Sequence, residues 1–106
     1  MTVAQGSAGR PDETTLVVRI GAPVEAEVDG ELVALDVESG TCYGLNSTAT
    51  RIWRLLERPL TFGQLLDELT RAYDVPREQC GSEVTALLRE MEADKLVELR
   101  VPPTGV

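Results

Sequence analysis

Two cysteines, Cys42 and Cys80, and a group of carboxylates around Asp36 and Glu38 are the residues of this chain best equipped for chemistry. Paired acids transfer protons when burial drives their pKa values apart. Asp36 and Glu38 flank a turn, however, and Glu25, Glu27 and Glu31 occupy alternating or turn positions that read as a solvated face. The cysteines fit neither a disulfide framework nor a metal-ligand spacing. A cysteine in a core acts as a small hydrophobe; the sharper alternative is that both line one groove. The chain has no histidine, which removes the usual general base and the usual zinc sites. Ser39, Ser47 and Ser82 therefore lack a base and a nucleophile elbow. The glycine-rich pieces are no more than single glycines at turns, so the sequence shows no phosphate-cradling loop. These residues point away from catalysis and from a metal or cofactor, and toward binding.

Composition narrows the class of partner. A chain of 106 residues and 11.5 kDa forms one small domain with a modest core. Its formal net charge is -8, from 10 basic and 18 acidic residues. Nucleic-acid binders neutralise phosphates with a basic footprint, and none is visible, so basic or neutral partners are favoured. The N-terminus lacks the apolar stretch of a signal peptide. No run of about 18 apolar residues is present to span a membrane. The expected location is the reducing cytoplasm.

The elements follow from periodicity. Residues 1–15 are polar and aperiodic and read as a disordered tail, with the domain over 16–99 and a second tail over 100–106. Leu16–Ile20 is open between a short strand and a tether. Val24, Ala26 and Val28 alternate with Glu25 and Glu27 as a half-buried strand. Asp29-Gly30 then signals a type I′ hairpin turn. Leu32–Val37 forms the next strand, with Val33, Leu35 and Val37 expected on one face, and Thr41–Leu45 forms another. This three-stranded antiparallel meander has one apolar face to cover.

Three helices are available to cover it. The first starts at Asn46 or Ser47, either a good cap, and carries Ala49, Ile52, Trp53 and Leu56 on one stripe. That stripe makes Trp53 a core residue. The second opens on a Thr61–Gln64 capping box, with Leu60 and Leu65 as the staple. Its stripe is Phe62, Leu65, Leu66, Leu69 and Tyr73. The third begins at Pro76 and carries Cys80, Val84, Leu87, Leu88 and Met91. Leu96–Leu99 is a candidate closing strand. The expected class is α+β, a winged-helix-like domain of three antiparallel strands followed by three helices.

Within that plan Thr41–Leu45 has a neighbour on one side only. Its outer amides and carbonyls can accept an added strand, and Gly44 permits close backbone approach. Cys80, Glu83, Leu87 and Glu90 recur at helical spacing along one flank of the third helix, the natural second wall of a groove.

The string Leu35-Asp36-Val37-Glu38-Ser39-Gly40-Thr41-Cys42-Tyr43-Gly44-Leu45-Asn46, with Ala49, Ile52-Trp53 and Leu55-Leu56 after it, resembles the PqqD family. So does the run Val84, Leu87-Leu88 and Met91 that ends in Lys95-Leu96-Val97. The resemblance covers about residues 24–99. It implies a three-stranded sheet on three helices that binds the leader segment of a ribosomally made, post-translationally modified peptide. The leader would add as a strand to Thr41, Cys42, Tyr43, Gly44 and Leu45 and rest against Cys80, Glu83, Val84, Leu87 and Glu90. Many relatives carry aspartate where this chain has Glu83.

Among subfamilies the freestanding members of lasso-peptide pathways look closest. That implies a non-enzymatic adaptor that hands its precursor to a cysteine-protease-like leader peptidase and a macrocyclase. The alternatives are a chaperone of another modified-peptide pathway, as in the pyrroloquinoline quinone branch, and a winged-helix DNA-binding regulator. Backbone hydrogen bonds contribute roughly 0.5–1.5 kcal/mol each, whereas micromolar binding needs about 8 kcal/mol. Apolar anchors must therefore supply most of the affinity, with Glu83 and Glu90 steering a basic leader.

Overall fold

The computed structural model describes residues 10–21 and 23–101. The elements run β1 (Leu16–Arg19), β2 (Val24–Val28), β3 (Glu31–Asp36), β4 (Thr41–Leu45), α1 (Ser47–Leu55), β5 (Leu60–Thr61), α2 (Phe62–Ala72), α3 (Arg77–Ala93) and β6 (Val97–Arg100). The strands form two antiparallel three-stranded sheets, ordered β2-β3-β4 and β5-β1-β6. The first is the expected meander. Asp29 (φ 54°) and Gly30 (φ 84°) both occupy the left-handed region that a type I′ turn requires. This turn pairs Val28 with Glu31 and Val24 with Leu35.

The second sheet extends the expected architecture. Leu16–Arg19 is its central strand, and the closing strand at the C-terminal end pairs along it from Leu16↔Arg100 to Arg19↔Val97. The N-terminal tail expected over 1–15 falls outside the described residues for 1–9. Residues 10–15 are instead held against the helices: the Phe62 amide donates to the Thr15 carbonyl at 2.8 Å and the Gly63 amide to the Glu13 carbonyl at 3.0 Å. Arg100 lies in β6, and positions 102–106 of the second tail fall outside the described residues.

The helices end and begin where their caps dictate. Asn46 Oδ1 accepts from the Ala49 amide at 2.8 Å. Thr61 and Gln64 form the reciprocal capping box. Pro76 serves as the N-cap of α3, one position outside the first helical residue. The core joins both sheets to all three helices around Trp53, Phe62, Ile52, Leu56, Leu66 and Leu88, each at most 1% exposed. Burial of such a side chain contributes about 1.5–3 kcal/mol.

The meander packs on the face opposite to the one its pattern suggests. Leu32, Ala34 and Leu45 are the buried strand residues, whereas Val24, Val28, Leu35 and Val37 are exposed. The cross-strand rows explain this: Glu25, Ala34 and Tyr43 share one face, as do Glu27, Leu32 and Leu45. Those glutamates therefore lie on the helix side rather than on a free solvated face. Glu25 meets the Trp53 indole at 2.9 Å and Glu27 meets Arg54 at 2.7 Å. Leu32 through Leu35 is apolar throughout, so alternation cannot choose a face. The choice falls to the polar partners that α1 offers.

Candidate functional site

The β2-β3-β4 sheet has two edges, and they differ in chemistry. On β2, Glu25 and Glu27 place carboxylates along the strand, a recognised way to blunt an edge. On β4 the sequence Thr-Cys-Tyr-Gly-Leu carries no charge. Its first neighbour is β3, in register Asp36↔Thr41 through Leu32↔Leu45, and no described strand pairs with its other side. Thr50 secures the start of this unit from α1. Its Oγ1 accepts from the Leu32 amide at 3.0 Å and donates to the Leu45 carbonyl at 2.9 Å, and the residue is buried.

A groove follows α3 in three sections: the first two lie against β4, and the third lies against α1 and α2 with no β4 residue in its lining. At the C-terminal end of α3, a hollow of about 500 Å³ lies among Glu38, Thr41, Tyr43, Asp94 and Lys95. Next comes a section of about 260 Å³, where Cys42 to Asn46 and Ala49 face Leu87, Glu90, Met91 and Asp94. Farther toward the start of α3, about 140 Å³ is enclosed by Thr48, Leu69, Tyr73, Val75, Cys80, Glu83 and Val84. A separate hollow of about 360 Å³ opens between the sheets near Ile20, Pro23, Val37 and Leu96. It borders the groove at Asp94 and Lys95 but presents no free strand edge.

The ten residues singled out from sequence all line this groove or its edge strand, but they do not form one cluster. Cys42, Tyr43, Gly44, Leu45, Leu87 and Glu90 meet in the middle section. Cys80, Glu83 and Val84 belong to the section beyond it, and Thr41 to the section before it. By register Tyr43 and Leu45 share the helix side, while Cys42 lies in the row of Leu35 on the outer face. The two cysteines are free: Cys42 is exposed and Cys80 is 5% exposed. They line different sections, and Cys80 packs as part of the core. Burial pushes its thiol pKa up, Glu83 adds to that, and Arg77 and Arg10 oppose it.

Sequence reasoning missed Met91, Asp94 and Lys95 as groove residues, along with Tyr73 and Val75. Asp94 was legible in principle, because it continues the 83–87–90 stripe by one further helical step. Lys95 follows the α3 C-cap with φ 60°, a turn that the sequence does not announce. Tyr73, expected as a core stripe residue, is the C-cap of α2 and is 39% exposed beneath Arg51, whose guanidinium lies 5.6 Å from the ring centre.

The arrangement can pair an extended chain along β4 and seat alternate side chains against α3. None of its groups forms a nucleophile–base pair, and no group of three or more histidine, cysteine or acidic side chains suited to a metal ion occurs among the described residues. No helix among them is long and apolar enough to cross a membrane.

Comparison with known proteins finds relatives by sequence and by fold. Residues 31–97 match the family model described as Coenzyme PQQ synthesis protein D (PqqD). The solved structure of TbiB1 in complex with the TbiA(beta) leader peptide is similar, with a TM-score of 0.67 and 31% sequence identity over 76% of this chain and 94% of that one. No curated protein matches the sequence.

Proposed function

Because the chain belongs to the PqqD family, we propose that it is a non-catalytic adaptor for the leader segment of a ribosomally made precursor peptide. The leader adds as a strand to the free edge of β4 and lies in the groove against α3. The observation that carries this reading is the uncharged edge of β4, which no described strand pairs, facing the partly buried Leu87 across the groove. A solved relative of the same fold was captured with a leader peptide, which supports the assignment of partner.

The adaptor then presents the precursor to a leader peptidase and a macrocyclase of a lasso-peptide pathway. Tethering raises the local concentration of precursor at those enzymes without requiring chemistry from the adaptor. The exposed acids of α3, Glu78, Glu83 and Glu90 among them, argue against docking of this helix on a phosphate backbone.

Fluorescence anisotropy with a labelled leader, taken from a short precursor found by sequencing the gene's surroundings, tests the reading. Saturable binding that Leu87→Ala weakens is the expected result. No binding by the folded protein would overturn the reading, and so would affinity that neither Leu87→Ala nor Val84→Asp alters.

A further inference from the structure

Among the described residues, the acids that line the groove stand outside the molecule's ion pairs. The ion pairs of the described residues involve Arg10, Arg19, Arg54, Arg71, Arg77, Arg89 and Arg100, and their acidic partners are Glu13, Glu25, Glu27, Asp67, Glu68, Glu78, Glu92 and Glu98. None of those acids lines the β4–α3 groove. The groove acids Asp36, Glu38, Glu83, Glu90 and Asp94 appear in none of these pairs, and Glu83 takes only a hydrogen bond from Gln79 at 3.2 Å. Lys95 lines one end of the groove; at the other, Arg51 lies over Tyr73, and Arg77 and Arg10 act on the Cys80 thiol.

Glu83, Leu87, Glu90 and Asp94 stand at helical steps of four, three and four, so they form one stripe on α3. From the strand-addition reading above, on which this inference rests, we propose that the groove selects a basic leader with a defined spacing of charge. At about 1.5 Å rise per residue, Glu90 and Asp94 stand about 6 Å apart along the helix and Glu83 and Glu90 about 10.5 Å. An extended peptide advances about 3.3 Å per residue, so side chains on one face recur every 6.7 Å or so. Two lysines or arginines at i and i+2 therefore match Glu90 and Asp94. A third basic residue on the same face, about four positions from the nearer of that pair, matches Glu83. Between them an apolar side chain meets Leu87. The long stems of Lys and Arg absorb the remaining mismatch.

The test is selection from a random library of twelve-residue displayed peptides on the immobilised full chain. It is run in parallel on the Glu83→Gln/Glu90→Gln/Asp94→Asn variant, with circular dichroism and a melting curve confirming that the variant folds. The wild type should enrich Lys and Arg at this spacing, and the variant should lose the basic enrichment while retaining apolar preferences. A peptide synthesised from the wild-type selection should bind the variant about 5–30-fold more weakly, from three exposed or half-exposed charge pairs. The difference should shrink as salt rises. Peptides selected without basic residues, or with the same basic residues on both proteins, would overturn the charge inference and leave strand addition standing. Failure to select any peptide that binds the wild type in solution would overturn both.

Discussion

Glu25 Oε2 accepts a hydrogen bond from the indole Nε1 of Trp53 at 2.9 Å. A glutamate on a strand whose valines face outward thus satisfies the one polar atom of a tryptophan buried in the core. Arg19 completes the arrangement. Its guanidinium lies 4.1 Å from the ring centre, 3.8 Å from Glu25, and donates to the Trp53 carbonyl. This contact fixes which face of the meander packs on α1.

Glu25→Ala should therefore destabilise the fold by about 1–2 kcal/mol, because it leaves a buried donor without a partner. Urea unfolding followed by Trp53 fluorescence measures this directly. An unchanged midpoint would show that the bond does not hold the sheet.

Thr50→Val should cost a similar amount, about 1–3 kcal/mol, since it strands the Leu32 amide and the Leu45 carbonyl. The same unfolding assay applies. Because Leu45 ends the edge strand, hydrogen exchange at the Leu45 end of β4 should also quicken.

The two helical glycines should respond differently to alanine. At Gly81 an added Cβ would meet only the guanidinium end of Arg10, a flexible group that can move aside. Gly81→Ala should thus gain about 0.5–1 kcal/mol from helix propensity. At Gly63 the added atom would sit 3.1 Å from Glu13 Cβ and 3.2 Å from its carbonyl oxygen, so backbone must shift. Gly63→Ala should show no such gain in thermal melts.

Thiol alkylation at pH 8 should separate the cysteines. Cys42 is exposed and open to the reagent, whereas Cys80 is buried and its pKa is raised by that burial. Mass spectrometry after brief iodoacetamide treatment should find label on Cys42 alone. Equal labelling of both would contradict the placement of Cys80.

Most of the scaffold was legible because local signals carried it. Asn46, the Thr61–Gln64 box and Asp29-Gly30 each fix a boundary through backbone chemistry, and the helix stripes predicted Trp53, Leu65 and Val84 in the core. The second sheet was less legible, because β1 and β6 meet only through long-range pairing between the two ends of the domain. The packed face of the meander was misread for a different reason. Leu32 to Leu35 offers two apolar faces, and the decision rests on Trp53 and Arg54, distant in sequence. The groove's walls were readable as a strand edge and a helix flank, whereas Tyr73, Val75 and Lys95 joined it only through tertiary placement.

Hydrogen exchange of the full chain, with and without the labelled leader, tests the central claim most directly. Binding should slow exchange among the amides of Thr41–Leu45 that face away from β3 and leave the β2 edge and the β5-β1-β6 sheet unchanged. Saturation with leader that leaves every β4 amide exchanging as before, or protects β2 instead, would contradict the account.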